Sequence, residues 1–146
     1  MTDPRPAHRQ PALVGWVVLG GAAGTAVRLA AETRLPLAAG LPLPTLLVNL
    51  VGAFVLGALL EGLARTGEDA GRRRAARLLV GTGFCGGLTT YSTLAVEVDL
   101  LLAGRPLAGV GYALLTVLLG LGAAAAGAAT GAAATAAGAR RSGGGR

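Results

Sequence analysis

The run Gly83-Phe-Cys-Gly-Gly-Leu-Thr-Thr-Tyr-Ser-Thr-Leu94 sets three glycines and the hydroxyls of Thr89, Thr90, Ser92 and Thr93 in an uncharged stretch with apolar flanks, Leu78-Leu79-Val80 and Ala95-Val96. Glycine weakens a helix by up to about 1 kcal/mol relative to alanine. In lipid, any backbone group released by a break needs a partner within protein or a water-filled cavity. A helix that unwinds around Gly86-Gly87-Leu88-Thr89 frees carbonyls able to coordinate a cation. The half-helix starting near Thr90 then points its N-terminal dipole at the centre of the protein. Tyr91 and Leu94, at i and i+3, share a face, with Ser92 and Thr93 beside them.

Asn49 is the second chemical feature. A mid-helix carboxamide offers two N–H donors and a carbonyl, and Thr45 lies one turn earlier on the same face. An aromatic ring edge is electropositive, so the Tyr91 edge and the Asn49 donors suit a small anion without any fixed positive charge, which would hold the ion too tightly to release it. The same residues also fit plainer uses. Asn49 can make an ordinary interhelical hydrogen bond, the glycines can serve close packing, and the hydroxyls can bond back to the preceding turn.

The elements that must position these groups are membrane helices. The chain is 53% hydrophobic and only 14% charged, outside the range of an ordinary soluble domain. Charge-free intervals of 18, 26, 19 and 34 residues run over 10–27, 35–60, 78–96 and 106–139. About 20 apolar residues cross the hydrocarbon core, so an all-α membrane protein with four transmembrane helices is expected, the third of them broken. None of the intervals shows the polar face a soluble bundle needs. Helix 1 is expected over Ala12–Ala31, with Trp16 as an interface anchor and Glu32 just past its end. Helix 2 is expected from Pro44 or Thr45 to Leu63, segment 3 over Leu78–Leu102, and helix 4 from Leu107. The channel-forming part is placed at 12–137, between disordered basic tails at 1–11 and 138–146.

Four crossings put both termini and the loop after helix 2 on one side. That side carries 10 arginines against 3 on the other, and the positive-inside rule makes it cytoplasmic. The formal charge of +6 is thereby a matter of topology in the cell membrane; no basic face interleaved with aromatics is present to bind nucleic acid. The lone Cys85 has no intramolecular disulfide partner. No nucleophile with a base and no phosphate loop is present, so an enzyme is not expected.

Three stretches in order resemble the Fluc/CrcB family of fluoride channels: Gly20-Gly21-Ala-Ala-Gly24-Thr-Ala-Val-Arg28, Thr45-Leu-Leu-Val-Asn49-Leu-Val-Gly52-Ala-Phe-Val-Leu-Gly57, and Gly81-Thr-Gly83-Phe-Cys-Gly-Gly-Leu-Thr-Thr-Tyr-Ser-Thr93. The resemblance implies an antiparallel dimer with two anion pores at its interface, passing fluoride passively out of the cell. It also implies a structural sodium ion, not transported, held by the backbone carbonyls that fall here on Gly86 and Thr89. The pore amide falls on Asn49, the pore aromatics on Tyr91 and position 94, and the polar wall on Ser92 and Thr93. Arg28 and Glu97 match positions where the family commonly carries a charge; Arg28 also fits a side chain snorkelling to the interface.

Two departures stand out. Family members typically carry phenylalanine at both 91 and 94, whereas this chain has Tyr91 and Leu94, and leucine supplies no electropositive edge. The arginine bias favours a single orientation, whereas an antiparallel homodimer needs both. A heterodimer with an oppositely oriented paralogue is therefore weighed beside the homodimer, with a poorly conducting partner subunit as one alternative. A small proton-coupled exporter is another, although such proteins usually need a mid-membrane carboxylate in the first helix.

Overall fold

The structure, a computed structural model, describes residues 6, 9–35 and 40–143. Most of the expected tail at 1–11, the link around Pro36 and residues 144–146 lie outside the described residues. The helices are α1 (Pro11–Arg34), α2 (Leu43–Ala64), α3 (Gly71–Ala76), a π-type turn-rich segment π1 (Arg77–Cys85), α4 (Gly86–Leu88), α5 (Tyr91–Gly104) and α6 (Pro106–Gly143). No strand occurs among the described residues. Proline opens or nearly opens α1, α2 and α6, where its missing N–H costs no intrahelical bond. Three helices, α1, α2 and α6, are long and apolar enough to cross a membrane.

Three expected boundaries move by three residues or more. α1 continues to Arg34, so Glu32 lies within the helix and not past its end; with no proline between Pro11 and Pro36, nothing halts the helix at Ala31. The third segment begins at Gly71, and α3 passes into π1 without interruption. α6 is helical to Gly143, through the start of the stretch expected as tail.

Packing rests on backbone-to-backbone approach between two parallel pairs of helices. A Cβ on Gly20 would overlap the Leu79 carbonyl, one on Gly24 the Phe84 carbonyl, and one on Gly87 the Gly21 carbonyl. Contacts thus advance together along α1 and the π1–α4 stretch. In the same way Gly57 meets Ala124, while Gly127 meets Phe54 and Gly131 meets Ala58, so α2 and α6 also run parallel. Small residues permit such approach where lipid supplies no hydrophobic drive. Parallel order within each pair requires the chain to reverse direction between neighbours. The polar loop 65–70 and the end of α6 therefore lie at the end of the bundle where α1 begins.

Candidate functional site

The third segment breaks at Thr89 and Thr90. Both residues are extended, with φ/ψ of −80/152° and −145/125°. Asn49, in the second turn of α2, holds the break open. Its Oδ1 accepts from the Thr90 N–H at 2.8 Å and its Nδ2 donates to the Thr90 carbonyl at 3.1 Å. A side-chain amide here replaces the backbone partners that Thr90 forgoes by leaving the helix.

This exchange has a direct result for Gly86. Its carbonyl would accept from the Thr90 N–H in a continuous helix, and that N–H is taken by Asn49. The Thr89 carbonyl stands in a similar position. The amide four residues on, that of Thr93, donates instead to Thr90 Oγ1 at 3.2 Å, an N-cap for α5 of the kind that threonine forms well. Gly87 differs, because its carbonyl accepts from Arg28 Nε at 3.2 Å. Arg28 also reaches Glu32 Oε1 at 3.5 Å, so its charge is spent on the protein and does not snorkel away to the interface.

Beside the break lies a groove of about 550 Å³, open along one side, whose lining includes Asn49, Gly86, Thr89, Thr90, Tyr91 and Leu94. Five of the residues singled out in the sequence thus share one surface: Asn49, Gly86, Thr89, Tyr91 and Leu94. Tyr91 is 83% exposed, with its ring standing at the groove edge.

Ser92, Thr93 and Thr45 sit apart from that groove. Thr90 Oγ1 donates to Thr93 Oγ1 at 3.0 Å and lies 3.3 Å from Ser92 Oγ, which gathers three hydroxyls at the start of α5. One turn beyond Thr93 on the same face is Glu97. The buried Thr45 donates to Glu97 Oε1 at 2.6 Å. The Tyr112 hydroxyl shares its hydrogen between Glu97 Oε2 at 3.0 Å and the Pro42 carbonyl at 3.1 Å. α5 therefore carries a row of hydroxyl and carboxyl groups along one side, while Tyr91 and Leu94 front the groove. Tyr112, 3% exposed, belongs to none of the sequence motifs. The available signal was chemical: a carboxyl in a membrane segment requires donors, and Tyr112 is the phenol within the long apolar run 106–139.

The family model described as "CrcB-like protein, Camphor Resistance (CrcB)" matches residues 15–128. The chain belongs to the CrcB family. It is 50% identical over 114 residues to "Fluoride-specific ion channel FluC 1" of Cutibacterium acnes, covering 77% of this chain and 80% of that protein. "Fluoride-specific ion channel FluC 2" of Leifsonia xyli is 45% identical over 122 residues, 83% of this chain and 84% of that one. "Fluoride-specific ion channel FluC" of Deinococcus radiodurans is 46% identical over 115 residues, 76% and 88% respectively. The CrcB match takes in α1 from Gly15, α2, the break, α5 and α6 as far as Ala128, and so every site residue named above. Family membership and three apolar helices of membrane length make this CrcB protein a multi-pass membrane protein.

Proposed function

We propose that this chain is a subunit of a fluoride-selective channel that lowers cytoplasmic fluoride by passive efflux. The observation that carries this reading is the open groove built around the break, with Asn49, Tyr91 and Leu94 on its wall. Its relatives' names supply the ion; the groove supplies a surface with amide and ring-edge groups and no fixed positive charge among its lining residues. An open groove that exposes 83% of an aromatic side chain calls for a cover. A second subunit, inserted antiparallel, would close it into a pore at the dimer interface. In this reading the broken third segment is one of four crossings, and a subunit in the orientation that the arginine bias favours has both termini in the cytoplasm.

A structural sodium ion fits the carbonyls of Gly86 and Thr89. Both are neutral oxygens, the donor type suited to a hard cation, and both have lost their helical partners to side chains. When bound, the ion would supply fixed positive charge beneath the break. Asn49 and Thr90 do the remaining work, holding the carbonyls apart from the helix ladder. Ser92, Thr93, Thr45 and Glu97 would line the approach along α5, with Tyr112 fixing the Glu97 carboxyl.

A second reading, a heterodimer with an oppositely oriented paralogue, is favoured by Leu94 and by the 10-to-3 arginine bias. Fluoride efflux from liposomes, followed with a fluoride electrode, tests both. Efflux from the chain purified out of cells lacking any paralogue supports the homodimer and removes the heterodimer. Efflux only on co-expression with a paralogue does the reverse, and no fluoride flux in either arrangement overturns the channel reading.

A further inference from the structure

The end of the bundle where α1 begins holds a notch of about 220 Å³ that the channel reading does not use. Its lining is Leu60, Leu63 and Ala64 from the last turns of α2, with Gly67, Glu68 and Asp69 of the loop and Arg73 and Arg77. The loop bends there through Gly67, at φ 121°, a region that disfavours side chains. A Cβ at that position would also overlap the Arg73 guanidinium.

The four charges of the notch are not equivalent. Asp69 and Arg77 satisfy one another with two hydrogen bonds, at 2.7 and 3.1 Å, and Arg74 adds to Asp69 at 3.6 Å. Glu68 and Arg73 both line the notch, yet neither makes an ion pair, with each other or elsewhere, among the described residues. One wall therefore presents a spare guanidinium and a spare carboxylate, above a floor of leucine and alanine.

Its depth identifies the surroundings. Gly83 lies level with Val17 of α1. Arg77, six residues before Gly83, is therefore displaced by up to about 9 Å, at the rise of an α-helical residue, toward the start of α1. Trp16, 40% exposed, marks the interface on α1, so Arg77 and Arg73 stand outside it, where lipid headgroups lie.

We propose that this notch binds the headgroup of a phospholipid bearing a primary amine, phosphatidylethanolamine being the type. The phosphate would meet Arg73, the ammonium would meet Glu68, and the glycerol and first methylenes would lie on Leu60 and Leu63. Both unpaired charges gain a partner, and the notch volume accommodates a phosphate and a two-carbon amine. A choline headgroup has no N–H to give the carboxylate. Phosphatidylglycerol sets an anion with no cation beside Glu68.

The full chain, reconstituted in vesicles of equal parts phosphatidylethanolamine, phosphatidylcholine and phosphatidylglycerol, is extracted in detergent, washed, and its retained lipid quantified by mass spectrometry. The wild type is expected to keep the ethanolamine lipid about fivefold over each of the others, the worth of one charge near a membrane surface. Glu68→Gln should abolish the preference over phosphatidylglycerol. Arg73→Gln should lower retention of ethanolamine lipid, and Arg73→Lys should restore it. Equal retention of the three lipids by the wild type would overturn the proposal, as would a preference surviving both glutamine variants. Displacement of the lipid by millimolar soluble phosphoethanolamine would also overturn it, since the ligand would then be a free metabolite. The wild-type comparison stands even if a variant fails to elute as a single species.

Discussion

Asn49→Asp separates the two tasks assigned to that side chain, because aspartate keeps the shape and changes one atom. The retained oxygen still accepts from the Thr90 N–H, at 2.8 Å in the wild type, and with a negative charge it does so more strongly. The other oxygen replaces the Nδ2 that donates to the Thr90 carbonyl at 3.1 Å. Two acceptors then face one another, and the carbonyl goes without its donor at a cost of about 1–3 kcal/mol. The effect on an anion in the groove is separate. A unit negative charge about 6 Å from the ion, in a medium of effective dielectric near 20, raises its energy by about 2.8 kcal/mol, which is about a hundredfold in rate. Asn49→Ala supplies the contrast, since it removes both hydrogen bonds to Thr90 but adds no charge. The expected pattern is loss of fluoride efflux by about two orders of magnitude in Asn49→Asp with a modest fall in thermal midpoint. The alanine variant should show the larger fall in midpoint. Efflux is read with a fluoride electrode in liposomes, in whichever subunit pairing conducts, and stability by thermal unfolding in detergent. Efflux from Asn49→Asp within threefold of wild type would remove Asn49 from the anion path and leave it only as the clasp of the break.

Three further outcomes are expected. Gly87→Ala should destabilise the fold by about 1–3 kcal/mol, because the new Cβ meets backbone at Gly21; Gly62→Ala, with nothing within 4 Å, should be neutral or slightly stabilising in the same thermal assay. Leu94→Phe restores a ring edge to the groove wall and should raise fluoride efflux severalfold; an unchanged or lower rate would show that position 94 does not limit conduction. The Arg77 guanidinium beside Asp69 holds that carboxyl below its usual value of 3.8. A lowered folded-state pKa means that the pair's stabilisation is complete above about pH 4 and fades as pH falls through the folded-state value. Asp69→Asn should therefore cost under about 1 kcal/mol at pH 7, as exposed pairs do, with no dependence between pH 5 and 8 and a vanishing difference from wild type in strong acid.

Much of this arrangement was legible in the residues. Charge-free length alone located α1, α2 and α6, since membrane-length apolar runs have few other uses. The glycines and hydroxyls of 83–94 located the break within a residue or two, because they are poor helix formers in a setting that otherwise favours helix. What escaped were partnerships across the fold. That Asn49 would clasp Thr90, forty-one residues away, left no local trace, so an interhelical bond and a pore amide looked like alternatives when one side chain can supply both sets of atoms. Ser92 and Thr93 were grouped with Tyr91 by sequence adjacency, yet a helix turns about 100° per residue and sends them to another side. Tyr112, a single phenol on an apolar helix, carries no periodic signal; its meaning lies in Glu97, on a different helix. The end of α1 was missed for a simpler reason. Arg28 and Glu32, four apart, form an ion pair on one face, which carries the helix past Ala31.

The parallel pairing of the helices bears on how the protein is made. Among the described residues α1 makes its backbone-to-backbone approach to π1 and α4, and α2 makes its own to α6 while also setting Gly52 against the Thr89 side chain, so neither early helix can complete its packing with the neighbour synthesised directly after it. Asn49 enters the bilayer in α2 before Thr90 has been translated. Until the break arrives, its carboxamide has no clasp to close, and the chain must hold a polar group in lipid or at the edge of the insertion machinery. Assembly is therefore ordered by the ribosome, with the third segment as the step that first gives α1 its partner and Asn49 its hydrogen bonds. A ribosome stalled before residue 77 would leave α1 and α2 in the membrane without π1, α4 or α6 to pack against.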